Sequence, residues 1–95
     1  MAFRSSVDRL LHQIAHWEQS RWTAHGRADA VHALVQRLAD RAADAEGRPR
    51  RPVPRGSDLI LPDQLRVMAD DLLAAAGEPV LDQATDDVET VRHTL

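Results

Sequence analysis

The sequence predicts an all-α fold: a long N-terminal helix plus two shorter C-terminal helices, assembled as a dimeric, coiled-coil-like helical bundle. Three observations lead there. An apolar seven-residue repeat runs from Val7 to Ala45, two amphipathic stripes follow residue 61, and sheet-forming residue types are scarce. Phe3, Trp17 and Trp22 are the only aromatic residues in 95, so a core must come from Leu, Val, Ile, Met and Ala. Such a core suits close helix packing.

The first element opens at Ser5 or Ser6, whose hydroxyl can accept a bond from an unpaired first-turn amide, with Asp8 complementing the helix dipole. With Val7 as the first a position, the a residues are Val7, Ile14, Arg21, Ala28, Val35 and Ala42. The d residues are Leu10, Trp17, Ala24, Val31, Leu38 and Ala45, and eleven of the twelve are apolar. A 3.5-residue repeat held this long is the pattern of a helix supercoiling against a partner. Gly26 falls at an outward f position and leaves the phase intact, and one glycine costs only ~1 kcal/mol in a helix interior. One helix over about residues 5–46, roughly 63 Å at 1.5 Å per residue, is therefore expected over two helices broken at His25-Gly26. Gly47 stops it and Pro49 forbids re-entry.

Residues 47–61 form a connector in which Pro49, Pro52 and Pro54 favour extended geometry, and Leu59, Ile60 and Leu61 are expected to dock it on the core. Pro62 and Asp63 suit the start of a helix over 62–76, with Leu65, Met68, Ala69, Leu72, Leu73 and Ala76 on one stripe. Gly77 ends it. Pro79 opens a last helix over 79–93, with Val80, Leu81, Ala84, Val88, Val91 and Leu95 on one face and Asp82, Asp86, Asp87 and Glu89 on the other.

A helix of ~23 Å cannot cover one of ~63 Å, so a second copy of the long helix is expected to complete the burial. The predicted oligomer interface is Leu10, Ile14, Trp17, Arg21, Val31, Val35 and Leu38. Arg21, a lone charged a residue, either fixes register or marks an exposed point of the seam. Trp22, at b, is expected to lie under another helix of the same chain.

Composition narrows the functions. The chain has no Cys, hence no disulfide, thiolate nucleophile or Cys-ligated metal. It also lacks Lys, Asn and Tyr, whose codons are AT-rich, while all twelve basic residues are Arg; a high-GC bacterial genome is expected. Arg is then a default cation here, not one chosen for its planar guanidinium. The net charge of −3 divides into about +4 over residues 1–56 and about −7 over 57–95, and the two halves are expected to compensate. No run approaches the ~20 apolar residues of a membrane span, and charges come too early for a signal peptide. A cytoplasmic location follows.

No arrangement demands catalysis. His12 and His16 share the i, i+4 spacing of a metal pair, but only Asp8 stands at helical spacing to join them, so no metal is expected. His25 and His32 flank the seam at e and are expected to tune dimer contacts. Asp70-Asp71 and Asp86-Asp87 are adjacent pairs that point about 100° apart, which prevents acid–base convergence. Ser5, Ser6, Ser20 and Ser57 have no His and acid at triad spacing. The segment Arg48–Arg55 carries four Arg in eight residues but no stacking aromatic, which argues against nucleic acid. The sequence thus predicts no cofactor and no enzyme. It predicts a non-catalytic interaction or regulatory protein acting through oligomerisation, with another protein as a further partner. A nucleic-acid-associated regulator using residues 48–55 is the alternative.

Overall fold

The computed structural model describes residues 2–95 and places them in five helices: α1 (Ala2–Ile14), α2 (Gln19–Thr23), α3 (Arg27–Ala45), α4 (Leu61–Ala75) and α5 (Glu78–Thr94). Short 3-10 turns at Ala24–Gly26 and Asp58–Ile60 precede α3 and α4. Among the described residues there is no strand, and no helix is long and apolar enough to cross a membrane. The all-α class is as expected. The long helix is not.

Instead of one helix over 5–46, the chain leaves the helix after Ile14, forms the single-turn α2, and enters α3 through two left-handed residues, His25 (φ 57°) and Gly26 (φ 68°). A 63 Å rod has no place in a molecule of 38 × 26 × 17 Å. The physical reason is the width of the apolar stripe. In α1 it comprises Phe3, Val7, Leu10, Leu11 and Ile14; in α3 it comprises Val31, Leu34, Val35, Leu38 and Ala42. Leu11 and Leu34 broaden the a/d seam to the stripe of a globular helix, which needs two neighbours, not one. Breaking the rod lets both halves close on α4 and α5 within one chain.

α3 packs chiefly on α4 and α1 chiefly on α5, while α1–α4 and α3–α5 contacts close the square. α1 and α3 approach each other little, as do α4 and α5, so each pair is diagonal. Leu10, Leu34, Leu38, Leu65, Leu72 and Val88 meet in a single core. Trp17 and Trp22 add a T-shaped contact, ring centroids 4.9 Å apart, and Trp22 is buried in the chain's own core.

Gly47, at φ 67°, ends α3: its amide bonds the Asp44 carbonyl at 3.2 Å and that of Arg48 bonds Ala43 at 2.8 Å. This paired reversal satisfies carbonyls that the last turn leaves free, and it needs a residue tolerant of positive φ. Pro62 and Pro79 sit in the first turns of α4 and α5, where a missing amide costs nothing. α1 begins at Ala2, ahead of the expected serine cap, and Ser6 turns inward. Of the three residues expected to anchor the connector's end, only Leu61 is buried; Leu59 and Ile60 face solvent.

Candidate functional site

The residues predicted as an oligomer interface do not form a surface. Leu10, Ile14, Trp17, Val31, Val35 and Leu38 are all buried in the chain's own core. Arg21 is exposed, and its guanidinium carbon lies 5.1 Å from the centre of the Trp17 ring. Arg27 approaches the same ring at 5.5 Å and donates a hydrogen bond from Nη1 to the Arg21 carbonyl at 3.3 Å. Arg21 therefore serves as a cationic cover on a tryptophan, outside any apolar seam.

The histidines take separate roles. α1 ends before His16, so His12 and His16 lose the one-face helical pairing, and no cluster of three potential metal ligands occurs among the described residues. His25 occupies the strained left-handed position before Gly26. His32 Nε2 lies 3.2 Å from the Val53 carbonyl and helps to hold the connector down.

That connector is the part of the molecule most dependent on side chains. Three prolines deny it amide donors, and an extended segment cannot satisfy its own carbonyls. Gln36 Oε1 accepts from the Val53 amide at 2.7 Å, while Gln36 Nε2 donates to the Arg51 carbonyl at 3.0 Å and to Asp40 Oδ1 at 2.9 Å. Gln64 Nε2 donates to the Pro54 carbonyl at 3.0 Å. Val53 is buried beneath this clasp and is the connector's true apolar anchor. The sequence signal for it was a lone β-branched residue between two prolines, facing two polar residues one turn apart on α3.

The arginine arm is largely neutralised within the chain. Arg48 pairs with Glu46 at 2.8 Å, Arg50 grips both oxygens of Asp44 at 3.0 and 2.7 Å, and Arg55 reaches Asp29 at 2.9 Å and Asp58 at 3.6 Å. The partner hydrogen bonds lower the carboxyl pKa values of Glu46 and Asp44 and raise those of Arg48 and Arg50. Arg51 alone of the four has no carboxylate partner among the described residues. Across the two oppositely charged halves of the chain, Arg41 pairs with Asp87 at 2.9 Å and Arg4 with Asp70 at 3.7 Å.

Under the connector lies a half-open cavity of about 190 Å3 between α3 and α4. Buried Ala42, Ala43 and Val53 and half-buried Met68 supply apolar lining, and exposed Arg48, Arg51 and Asp71 stand on its solvent side. A separate polar clasp joins α1 to α5: the Ser6 hydroxyl donates to Glu89 Oε2, and Arg92 donates to the same carboxylate at 3.1 and 3.2 Å. These donors, Arg92 first and Ser6 second, hold the Glu89 pKa down at about 2. Ser6, considered above as a helix cap, is thus a structural hydroxyl, its oxygen committed to a carboxylate. The adjacent acids diverge as helical geometry requires: Asp87 faces Arg41 while Asp86 is exposed, and Asp70 faces Arg4 while Asp71 lines the cavity.

Among the described residues, the large apolar side chains left exposed are Leu59, Ile60 and Val67. Ile60 and Val67 are seven residues apart across the start of α4, which puts them on the same outward face, with Leu59 adjoining. Asp63, Asp70 and Asp71 lie along that face and are exposed. No family model, curated protein or solved structure matches this chain.

Proposed function

We propose that the protein is a non-catalytic, cytoplasmic interaction protein with a regulatory role, which binds another protein along the outward face of α4. The observation that carries this reading is the Leu59–Ile60–Val67 row, with exposures of 56%, 40% and 53%, while the other large apolar side chains among the described residues are buried or half-buried. Apolar anchors set in a polar rim are how a helix face gains affinity while staying soluble alone.

The charges on this face select the partner. In an antiparallel pairing of two α4 helices centred on Val67, Asp63 of one copy would face Asp71 of the other, and like charges so placed repel. The row suits a helical segment with apolar anchors flanked by Arg or Lys. Self-association through the heptad seam, as read from the sequence, would require opening the core. Nucleic acid is the weaker alternative, because three of the four connector guanidiniums are already paired with acids of the same chain.

A photo-crosslinking residue at position 67, with the same residue at position 82 on α5 as control, tests the proposal in the native host. A heterologous protein whose adduct maps to a basic amphipathic segment, formed from 67 and not from 82, is expected. Adducts only between copies of this chain, or equal capture from both positions, would overturn it.

A further inference from the structure

We infer that the cavity beneath the connector is a binding site for a small aliphatic monocarboxylate, a ligand distinct from the partner of the α4 face, with which the cavity shares Asp71. Its apolar lining of Ala42, Ala43, Val53 and Met68 would take the hydrocarbon, and Arg51 the carboxylate. The space of about 190 Å3 is many times what one water needs, so a short-chain carboxylate has room there.

Charge accounting points to the headgroup. Each of the other three arginines of the connector is matched by an acid of its own chain, while Arg51 is unmatched among the described residues and lines the cavity. Its backbone does not wander, because the Arg51 carbonyl and the Val53 amide are both held by Gln36. A guanidinium on a backbone held at the edge of a partly apolar cavity offers two parallel donors, which a carboxylate matches and an alcohol cannot. Asp71 sharpens the choice. It lies on the same solvent side, so a second negative charge on the ligand would meet repulsion, and a dicarboxylate is disfavoured.

The test is an amide-resolved NMR titration of the full chain with hexanoate, 1-hexanol and adipate in parallel. Saturable shifts confined to residues around Ala42, Ala43, Val53 and Met68 are expected for hexanoate. Hexanol and adipate should bind at least about tenfold more weakly, the loss of one charge-assisted contact. Arg51→Gln should weaken hexanoate by a similar factor while leaving hexanol unchanged, and Arg50→Gln, whose residue serves Asp44 outside the cavity, should change neither. Arg51 is exposed, so its replacement leaves the core intact. Hexanoate shifts that do not saturate, equal binding of hexanoate and hexanol, or unchanged hexanoate affinity in Arg51→Gln would each overturn the inference.

Discussion

Replacing Gln36 with Leu isolates the contribution of the connector clasp. Leu is close to Gln in size and helix propensity, so α3 itself is undisturbed. Besides the bond within α3 to Asp40 Oδ1, the variant loses two that hold the connector: the acceptor for the Val53 amide at 2.7 Å and the donor to the Arg51 carbonyl at 3.0 Å. These two losses differ in kind. Arg51 is exposed, so water replaces the donor to its carbonyl and the cost is about 0.5–1 kcal/mol. Val53 is 7% exposed, and an amide left unpaired there costs about 1–3 kcal/mol. Together they predict a loss of about 2 kcal/mol, and in a domain of this size each kcal/mol moves Tm by about 4–8 °C.

The connector should also report its own release. Trypsin cuts after Arg except before Pro, so within residues 48–55 the susceptible bonds are Arg50–Arg51 and Arg55–Gly56. Gln36→Leu should cleave faster at Arg50–Arg51 under native conditions, because local opening governs such cleavage. Gln13→Leu on the exposed side of α1 is the control and should match the parent in both assays. A Gln36→Leu protein with parental Tm and parental cleavage rate would refute the claim that this side chain holds the connector.

Three further outcomes follow from the same structure. His25→Gly should stabilise the protein by about 0.5–1 kcal/mol by relieving a left-handed side chain, whereas Gly26→Ala should destabilise it by about 1 kcal/mol; urea melts check the opposite signs. Leu38→Asp should prevent folding, seen as loss of cooperative melting, because it puts a carboxylate at a fully buried position, while Arg41→Asp loses a half-buried pair with Asp87 and a hydrogen bond to Gln83 Oε1, and should cost about 1–2 kcal/mol. Glu89 has its folded pKa at about 2 against 4.5 unfolded, so its stabilisation is complete above pH 4.5 and is lost as pH falls toward 2. With its side chain partly solvated, that contribution is about 1–2 kcal/mol, and Glu89→Gln should flatten the stability–pH curve in that window.

Much of the fold was legible because local chemistry fixes it. Gly47 ends α3 as expected, since a reversal at positive φ suits no other residue so well, and Pro62 and Pro79 mark the first turns of α4 and α5. The buried faces of α4 and α5 follow from spacings of three and four: Leu65, Ala69 and Leu72 in one, Leu81, Ala84, Val88 and Val91 in the other. The connector clasp was not legible. Gln36 falls at an outward heptad letter and His32 at the seam's flank, and only the docked connector gives those side chains something to hold.

The misreading of residues 5–46 has a specific cause. Ile14 and Ala28 are both core residues of their helices and are fourteen residues apart, two whole heptads, so the phase survives an interruption of that length. A heptad pattern reports which side chains turn inward. It does not report whether the backbone between them is one helix. Stripe width does carry that information, because a seam of a and d alone can be buried by one partner, whereas Leu11 and Leu34 demand a second surface. Inside one chain that surface is available only if the rod breaks, and the break runs from Ala15 to the left-handed pair His25-Gly26. The same closure then removes the seam from the surface. Among the described residues, the large apolar side chains left exposed are then the small row Leu59, Ile60 and Val67, and the connector arginine left without a carboxylate is Arg51 beside its cavity.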